Sequence, residues 1–343
     1  MIKTAIPLSA HSTFKVGGKA DFFVAVTTLE ELKDALAYSD EKGLPVHILG
    51  GGSNTLFSDE GFRGLVIKID IKGFVFKEEH EAHVIEVGAG EDWDYIVRET
   101  GARGIIGFEN LAFIPGTVGG AVVQNIGAYN REIGAFVHSV EVYDREKKKV
   151  QTLTHADCHF KYRHSIFKEK KAAHLIVTRV VFKLLTSDTL KTTYPELHSF
   201  LETQYKKEEI LNADMVRSAV TMLRTKKLPS LSDYGTAGSF FKNPIIEDGK
   251  ISLLKARFPE LPVWNVGLGK SKIPAAYLID KIALLKGEIV GGASLWNLQA
   301  LVIVTNTSAT SRDVYTLKEK IKKVVLEKTG ITLEEEVCIV GEK

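Results

Sequence analysis

The sequence predicts an α+β protein of two or three domains, and three features support this. A β-α-β pattern occupies residues 20–49, β-hairpin signals follow between residues 137 and 185, and an amphipathic helix precedes a strand near the C-terminus. The 343 residues suffice for two or three domains. Hydrophobic residues make up 44% of the chain and charged residues 26%, which is ordinary for a globular protein with buried cores.

The β-α-β pattern is the first element. Ala20–Val26 is predicted as a strand, and Thr28 caps the following helix, with Glu31 three residues later to complete a capping box. Gly43 ends the helix. The next strand, Val46–Leu49, runs into a glycine-rich turn at its carboxyl end, the edge at which α/β sheets bind ligands.

Two glycine-rich stretches dominate the first half of the chain. Glycine loop 1 is residues 49–56, LGGGSNTL, and glycine loop 2 is residues 114–129, IPGTVGGAVVQNIGAY. Glycine lets a backbone approach a ligand closely and present its N–H groups. Loop 1 is a plausible diphosphate cradle, and loop 2 suits a large flat ligand with phosphates. The alternative is that both are turns that serve only folding.

The remaining elements follow from periodicity and punctuation. Further strands are predicted at residues 65–69, 84–87, 137–143, 150–153, 175–184, 300–304 and 331–340, further helices at 93–101, 213–223, 273–285 and 311–328, and a loop at 230–243. The polar stretch at 186–209 reads as a linker with some helix, which includes the helix-forming run at 203–210. On the final strand, Glu334 and Glu336 share the polar face, whereas Glu335 falls on the apolar face.

Charge and composition exclude several classes of protein. The net charge of +2 argues against nucleic acid as the main partner. No run of about 18 apolar residues predicts a membrane span, and the N-terminus does not resemble a secretory signal. Two distant cysteines, Cys158 and Cys338, fit a reduced, cytoplasmic setting better than a disulfide scaffold. No obligate protein partner is evident.

Familiar cofactor motifs are absent or incomplete. Gly269-Lys270-Ser271 lacks the earlier glycine of a phosphate loop, because Trp264 stands there. No G-x-G-x-x-G follows a strand, and no G-x-S-x-G occurs. The HADCH segment at residues 155–159 has no second cluster with ligand spacing, so we predict no metal site.

Three side chains could carry chemistry, and each has an ordinary alternative. Arg163 could bind a carboxylate as a fork or form a structural salt bridge. Ser239 could donate a proton or serve as a turn hydroxyl. Glu336 could act in catalysis or be an exposed strand carboxylate.

Taken together, the motifs resemble the UDP-N-acetylenolpyruvoylglucosamine reductase family. The matching segments, in order, are STFKVGG, ILGGGSNTL, IPGTVGGAVVQNIGAY, YRHSIFK, AGSFFKNP, KIPAAYLID, LKGEIVGGAS, QALVIV and LEEEV, and they extend over essentially the whole chain. Tyr194 in TTYPEL resembles the substrate-covering tyrosine of the type I subtype. Two departures stand out: Glu335 replaces a frequent proline, and VGGAVV in loop 2 is closer to the other subtype.

The resemblance implies the fold and the reaction. It implies an FAD-binding domain of the vanillyl-alcohol-oxidase, or p-cresol methylhydroxylase, type in two lobes (residues 1–70 and 71–206). A C-terminal α+β substrate-binding domain (207–330) and a strand returning to the active site (331–343) would follow. NADPH would reduce non-covalent FAD, and the reduced flavin would pass hydride to UDP-N-acetylglucosamine enolpyruvate, which yields UDP-N-acetylmuramate for peptidoglycan. No His or Cys is placed for a covalent flavin link.

The resemblance also implies the site residues. Arg163 would hold the substrate carboxylate, Glu336 would stabilise the same enolate-like intermediate, and Ser239 would supply the final proton. The implied cofactor-binding residues are Gly50, Gly51, Gly52, Ser53, Asn54, Thr55, Pro115, Gly116, Thr117, Gly119, Gly120, Asn125, Gly127, Ala128, Tyr129 and Arg163. The implied substrate-binding residues are Tyr162, Tyr194, Lys227, Asn243, Lys272, Lys286 and Gln299.

Two other functions compete with this one. Another flavoenzyme on the same scaffold, such as an oxidase, would be reoxidised rapidly by oxygen. A sugar-nucleotide-binding protein without catalysis would retain the lysines and Tyr194 but should lack the set of Arg163, Ser239 and Glu336, which this chain has.

Overall fold

The computed structural model describes residues 1–206 and 210–341. Parts of several sequence predictions lie outside the described residues. Residues 207–209 belong to the linker predicted at 186–209, to its helix-forming run at 203–210 and to the domain predicted at 207–330, and residues 342 and 343 belong to the C-terminal segment 331–343. The chain divides into two compact units. Unit 1 comprises residues 1–6, 20–52 and 63–226, and unit 2 comprises residues 7–19, 53–62 and 227–343.

The strands and helices are numbered in chain order. The strands are β1 (Lys3–Pro7), β2 (Lys19–Val26), β3 (Val46–Leu49), β4 (Thr55–Phe57), β5 (Phe62–Ile69), β6 (Phe74–Glu79), β7 (Ala82–Gly88), β8 (Gly127–Ala128), β9 (Arg131–Glu132), β10 (Val137–Asp144), β11 (Lys149–Thr154), β12 (Leu175–Leu185), β13 (Gly235–Ser239), β14 (Ile245–Glu247), β15 (Trp264–Gly267), β16 (Lys270–Lys272), β17 (Ile289–Val290), β18 (Ala293–Leu295), β19 (Val302–Thr305) and β20 (Cys338–Val340). The helices are α1 (Leu29–Glu41), α2 (Trp93–Ala102), α3 (Val118–Gln124), α4 (Pro195–Gln204), α5 (Ala213–Lys227), α6 (Asp248–Arg257), α7 (Ala275–Tyr277) and α8 (Ser311–Thr329).

Unit 1 contains a four-stranded sheet, a five-stranded sheet and the short antiparallel pair of β8 and β9. The order of the four-stranded sheet is β1-β2-β5-β3, in which β3 and β5 are parallel. The five-stranded antiparallel sheet has the order β11-β10-β12-β7-β6. Aromatic rings fill the core: Phe108 lies 5.0 Å from Trp93, 5.1 Å from Phe182 and 5.4 Å from Phe136, between ring centroids. Such edge-to-face packing gives a rigid support for the loops above it.

Unit 2 contains a four-stranded sheet, a three-stranded sheet and one parallel strand pair. Their orders are β13-β19-β18-β17, β14-β16-β15 and β20-β4. Its core draws on all three chain segments, because Phe14 and Leu56 are fully buried in the same cluster as Phe240 and Ile321. Helix α8 begins at a capping box, in which the Thr310 and Asp313 side chains bond to each other's main-chain N–H groups, and ends at Gly330 in the left-handed conformation.

Several secondary-structure predictions are confirmed, and the clearest are the capped helices. The Thr28 side chain accepts a hydrogen bond from the Glu31 N–H, and α1 begins at the next residue after Thr28. The predicted capping box is wrong in its second half, because the Glu31 carboxylate accepts from the Thr27 N–H at 2.6 Å and not from the Thr28 N–H. The predicted β-hairpin is the antiparallel pair β10 and β11. The predicted strands at 46–49 and 175–184 and the helix at 311–328 also form, as β3, β12 and α8.

Other predictions are wrong in part. The loop predicted at 230–243 contains strand β13, which hydrogen-bonds to β19. Part of glycine loop 2 is helical, since α3 covers Val118–Gln124. The final strand is limited to Cys338–Val340, preceded by an isolated bridge between Glu335 and Phe241. In the predicted helix at 273–285, a π-helix over Leu278–Ile282 follows the short α7. None of the helices in the described ranges is both long and apolar enough to span a membrane.

Candidate active site

The two glycine loops meet within unit 1. A Cβ atom on Gly51 would lie 2.8 Å from the Gly116 Cα, and one on Gly50 would lie 2.7 Å from the Thr117 Oγ1. Real Cβ atoms do not approach other atoms so closely, so this contact requires glycine. Backbone therefore packs on backbone at Gly51 and Gly116. Such an arrangement fits a phosphate-bearing cofactor, as the sequence predicts.

Glycine loop 2 is fixed to the sheet beneath it. The Gly119 N–H donates to the Ala89 carbonyl at 2.8 Å, and the Trp93 N–H donates to the Gly116 carbonyl at 3.0 Å. The Thr117 hydroxyl caps α3 by accepting from the Gly120 N–H at 3.4 Å. The loop is thus held by the end of β7 and by the start of α2.

Loop 2 also contacts the turn that carries Arg163. Tyr162 and Arg163 form the tip of a tight turn between Lys161 and His164, whose main chains exchange hydrogen bonds of 3.0 and 2.9 Å. The Asn125 side chain donates to the Lys161 carbonyl at 2.8 Å. Structure therefore brings together two segments that the sequence singled out separately.

Several groups hold Arg163 itself. Its backbone lies in the left-handed region, with φ of 52°. One guanidinium nitrogen donates to the Gly127 carbonyl at 2.8 Å, and the guanidinium carbon lies 5.3 Å from the centre of the Tyr162 ring. Lys168 donates to the Arg163 carbonyl at 3.1 Å and to the Gln124 side chain at 2.7 Å. The arginine is therefore preorganised on both its main chain and its side chain.

Asn125, a predicted cofactor-binding residue, has an amide engaged by the protein. The residue is 1% exposed, and its side chain donates to Glu132 at 3.0 Å and accepts from the Gly134 N–H at 2.9 Å, in addition to its bond to Lys161. These contacts position loop 2. Direct cofactor contact through the Asn125 side chain stays a prediction.

A second group in unit 1 includes Tyr129, Tyr194 and Arg224. The two tyrosine rings meet edge to face at 5.1 Å, and burial raises the pKa of Tyr129 to about 12. Arg224 donates to the Phe113 carbonyl at 3.1 Å. Burial, and to a lesser degree the nearby Arg163, lower the pKa of Arg224, although Tyr129 and Asp94 oppose this shift. Sequence reasoning missed Arg224, which stands in the helical run MLRTKK without any local motif.

The segments of Ser239 and Glu336 are adjacent within unit 2. Ser239 ends β13, and the next residue, Phe240, accepts a hydrogen bond from the Glu336 N–H at 2.8 Å. The Glu334 carbonyl accepts from the Lys242 N–H at 2.9 Å, and Phe241 pairs with Glu335. The two predicted catalytic residues, Ser239 and Glu336, are both half-buried.

The end of glycine loop 1 contacts the segment that carries Glu336. The Asn54 side chain donates to the Glu336 carbonyl at 2.9 Å, and the Cys338 N–H donates to the Asn54 carbonyl at the same distance. Thr55 begins β4, which runs parallel to β20. Ser53, Asn54 and Thr55 therefore fall in unit 2, whereas Gly50, Gly51 and Gly52 fall in unit 1.

The predicted substrate-binding residues are distributed over both units. Tyr162 and Tyr194 belong to unit 1; Lys227, Asn243, Lys272, Lys286 and Gln299 belong to unit 2. The Asn243 side chain accepts from the Ala275 N–H at 3.0 Å, the Lys227 carbonyl accepts from the Trp296 indole at 2.8 Å, and Lys286 lies 3.8 Å from Asp280. Gln299 lies in the turn before β19, and Lys272 ends β16. Within the described residues, no group of three or more potential ligands could hold a metal ion.

Comparisons with known proteins identify the two parts of the chain and its family. The profile of the FAD binding domain matches residues 20–154, and that of the UDP-N-acetylenolpyruvoylglucosamine reductase C-terminal domain matches residues 230–340. A UDP-N-acetylenolpyruvoylglucosamine reductase of Ralstonia nicotianae is 36% identical over 338 residues, which cover 97% of this chain and 98% of that protein.

Two solved structures resemble the whole chain. The UDP-N-acetylenolpyruvylglucosamine reductase of Thermus caldophilus is similar, with a TM-score of 0.68 and 27% identity over 99% of both chains. The p-cresol methylhydroxylase shares the fold, with a TM-score of 0.50 and 13% identity over 98% of this chain and 84% of that one.

The fold and the FAD-domain match define an FAD-binding oxidoreductase of the p-cresol methylhydroxylase fold class, with an additional C-terminal domain. Relatives that match this chain over nearly their full length identify the family. The chain belongs to the UDP-N-acetylenolpyruvoylglucosamine reductase family.

Proposed function

We propose that this chain reduces the enolpyruvyl ether of UDP-N-acetylglucosamine to UDP-N-acetylmuramate, with NADPH as the reductant and FAD bound non-covalently. The reaction serves peptidoglycan precursor synthesis and would take place in the cytoplasm. The observation that carries the proposal is the direct main-chain pairing of the Ser239 segment with the Glu336 segment, which makes neighbours of two residues about 100 positions apart.

FAD fits the residues of the two glycine loops. The Cβ-free contact of Gly50 and Gly51 with Gly116 and Thr117 is the feature that supports a diphosphate cradle. When bound, the flavin would supply the hydride chemistry between NADPH and the enol carbon. We propose that the other predicted cofactor-binding residues of both loops also contact FAD.

The three proposed catalytic residues have distinct roles. Arg163, held by Gly127 and Tyr162, would bind the substrate carboxylate and stabilise the charge that develops there. Glu336 would stabilise the same enolate-like state. Ser239 would donate the proton that completes the lactyl ether. A preorganised cation is effective in this role because no reorganisation is needed during the reaction.

The proposed ligands of the sugar nucleotide are charged and polar side chains. Lys227, Lys272 and Lys286 supply positive charge for its diphosphate, and Asn243, Gln299, Tyr162 and Tyr194 supply hydrogen bonds. For the domain division we propose lobes 1–70 and 71–206, a substrate-binding domain 207–330 and a terminal segment 331–343.

An anaerobic titration of the FAD-loaded protein tests the function. NADPH should bleach the flavin absorbance, and the enolpyruvyl sugar nucleotide should restore it in equal amount. A protein that takes up no FAD would contradict the cofactor assignment. A flavin that is bleached and then reoxidised only by oxygen would assign the chain to an oxidase on the same scaffold.

A further inference from the structure

Three consecutive glutamates near the C-terminus have three different environments. Glu334 is 74% exposed in its side chain and pairs with Lys242 at 2.8 Å. The Glu335 side chain is 21% exposed and faces helix α8. Glu336 is held by its main chain, through Phe240 and the Asn54 side chain. Nothing in the local sequence EEE distinguishes the three, so the surroundings assign their roles.

Two lysines of α8 converge on one oxygen of Glu335. Lys318 and Lys322, one helical turn apart, lie 3.2 and 2.8 Å from the Glu335 Oε1. The Lys318 side chain is only 8% exposed, and it also lies 3.0 Å from Glu319 and 5.3 Å from the centre of the Tyr315 ring. A charge so deeply buried requires a partner, because an unpaired ammonium group would lose its hydration without compensation.

The burial of the neighbouring side chains makes this ion pair a constraint on Glu336. Burial alternates around Glu335: Leu333 and Val337, two residues away on either side, are 1% and 5% exposed, whereas Glu334 is exposed. A slip by one residue would offer the lysines Glu334 or Glu336 instead, but it would expose both apolar side chains. The lysines and the apolar pair therefore select one register, with Glu336 on the opposite face.

The main chain of Glu335 takes no part in the hydrogen bonds to the Phe241 segment, so its side chain supplies the contact that fixes the register. The bonds of the ladder involve Glu334 and Glu336, so Phe241 and Glu335 form a pair without mutual hydrogen bonds. The Glu335 N–H has no place in this ladder, which is why proline is compatible with the position. In this chain the side chain at 335 instead ties the segment to α8.

We propose that Glu335, Lys318 and Lys322 form a positioning cluster that fixes the register and orientation of Glu336 for the reduction of the enolpyruvyl substrate. The inference rests on the proposed catalytic role of Glu336. Glu335 itself is a positioning residue, since it acts through the adjacent glutamate.

Single-turnover kinetics of the FAD-loaded full chain test the proposal. The enzyme is reduced with NADPH without oxygen and then mixed with the enolpyruvyl sugar nucleotide while the flavin absorbance is followed. The variants are Glu335→Gln, Glu335→Asp and Lys322→Met. Glu334→Gln is the matched control, since it removes the neighbouring carboxylate from the exposed face.

We expect Glu335→Gln and Lys322→Met to lower the limiting rate of flavin reoxidation by about 10- to 100-fold, the range that a displacement of about 1 Å can produce. The half-saturating substrate concentration and the rate of reduction by NADPH should change less than about twofold, since the altered step is the chemical one. Glu335→Asp should recover about tenfold of the loss, because it restores a carboxylate that can face both lysines of α8. Glu334→Gln should match the unmodified protein.

A wild-type limiting rate per FAD-loaded molecule in Glu335→Gln, with a lower melting temperature, would reduce the cluster to a stabilising role and overturn the inference. So would a Glu335→Asp variant that is as slow as Glu335→Gln. If Glu335→Gln does not fold, Lys322→Met decides by the same criterion. A Glu336→Gln variant that is reoxidised normally would refute the proposed role of Glu336, whereas a slow Glu336→Gln with a fast Glu335→Gln would refute only the positioning cluster.

Discussion

Arg163 has a backbone conformation that few arginines adopt. Its φ of 52° lies in the left-handed region, where side chains other than glycine and asparagine are disfavoured. Lys168 holds its carbonyl and Gly127 accepts from its guanidinium, so the surroundings maintain the strained conformation. Strain of this kind persists where the surrounding structure fixes it, and it places the fork at a defined point.

Replacement of Arg163 by lysine should therefore abolish most of the reduction of the substrate. An ammonium group keeps the charge but loses the two-pronged geometry, so we expect kcat to fall by about 10²- to 10³-fold. Steady-state turnover with NADPH and the enolpyruvyl sugar nucleotide measures the effect. Arg63→Lys is the control, since Arg63 is exposed and pairs with Asp21. Near-normal turnover in Arg163→Lys would remove the fork from the mechanism.

Ser239→Ala should separate the two halves of the reaction. The proton donor acts only on the substrate, so reduction of the flavin by NADPH should remain while overall turnover falls by about 10²-fold or more. Stopped-flow absorbance resolves the two steps. Ser252→Ala serves as the control, because the Ser252 hydroxyl only bonds to the Asp248 carbonyl of its own helix. Unchanged turnover in Ser239→Ala would exclude the serine as the donor.

Individual roles were less predictable from the sequence than residue types. The sequence identifies Asn125 as part of a glycine-rich wall, but only the structure shows that its amide bonds to Glu132, Lys161 and Gly134. Arg224 could not be found by pattern, because a single arginine in a helix has no distinguishing spacing. Its neighbours Arg163 and Tyr129 are distant in sequence and are brought close only by folding.

At the scale of elements, helices with caps were predictable and short strands were not. Thr28 and Gly330 mark the ends of α1 and α8 by local chemistry. The strands β4 and β13 are three and five residues long, and each forms because of a partner far along the chain, β20 and β19. Local composition contains no trace of such a partner.

The contact between the glycine loops leads to a prediction about FAD. Gly51→Ala would place a methyl group 2.8 Å from the Gly116 Cα, so one loop must move and the cradle should lose its shape. We expect at least a tenfold weaker retention of FAD, equivalent to about 1.4 kcal/mol. FAD fluorescence in the ultrafiltrate measures it. Gly249→Ala, where nothing lies within 4 Å, is the control, and equal retention in both variants would refute the cradle.

The contact of Glu335 with α8 predicts a pH dependence of stability. Burial acts to raise the pKa of Glu335, but hydrogen bonds from Lys322 and Lys318 outweigh it, so the pKa lies below its ordinary value. A carboxyl group with a lowered pKa contributes stability above its unfolded pKa and loses it as the pH falls through the folded value. Glu335→Gln should therefore destabilise the protein by about 1–3 kcal/mol at neutral pH, with the difference fading below about pH 4.

Urea unfolding of both proteins between about pH 3 and pH 7 measures this difference. Glu334→Gln, in an exposed ion pair, should differ from the unmodified protein by less than about 1 kcal/mol at every pH. A difference between Glu335→Gln and the unmodified protein that stays constant from pH 7 to pH 3 would contradict an ionised, paired Glu335.

At the scale of the whole molecule, the chain passes five times from one unit to the other, at residues 6–7, 19–20, 52–53, 62–63 and 226–227. A fragment of residues 227–343 would therefore lack β4 and the fully buried Phe14 and Leu56. We expect it to be unfolded, and circular dichroism checks this. Addition of a peptide covering residues 7–62 is the control, and a cooperatively folded fragment without it would contradict the prediction.

The order of motifs along the chain was enough to predict the fold class, but not this interleaving. Residues 7–19 and 53–62 contain predicted site and family motifs, and their composition gives no sign that they pack in a core with residues 227–343. Only a long-range contact map distinguishes the two units. The pairing of the Ser239 and Glu336 segments is likewise a long-range contact that the local sequence does not predict.

Because the two units are interleaved in sequence, they are completed at different times during synthesis. All of unit 1 is available for folding once residue 226 has emerged from the ribosome. Residues 7–19 and 53–62 of unit 2, in contrast, can pack only after residues 227–343 have been synthesised. At a synthesis rate of about 5–20 residues per second, this interval is roughly 10 s. During that time Phe14, Leu56 and their neighbours have no core to enter, and they are the segments that a chaperone would meet first.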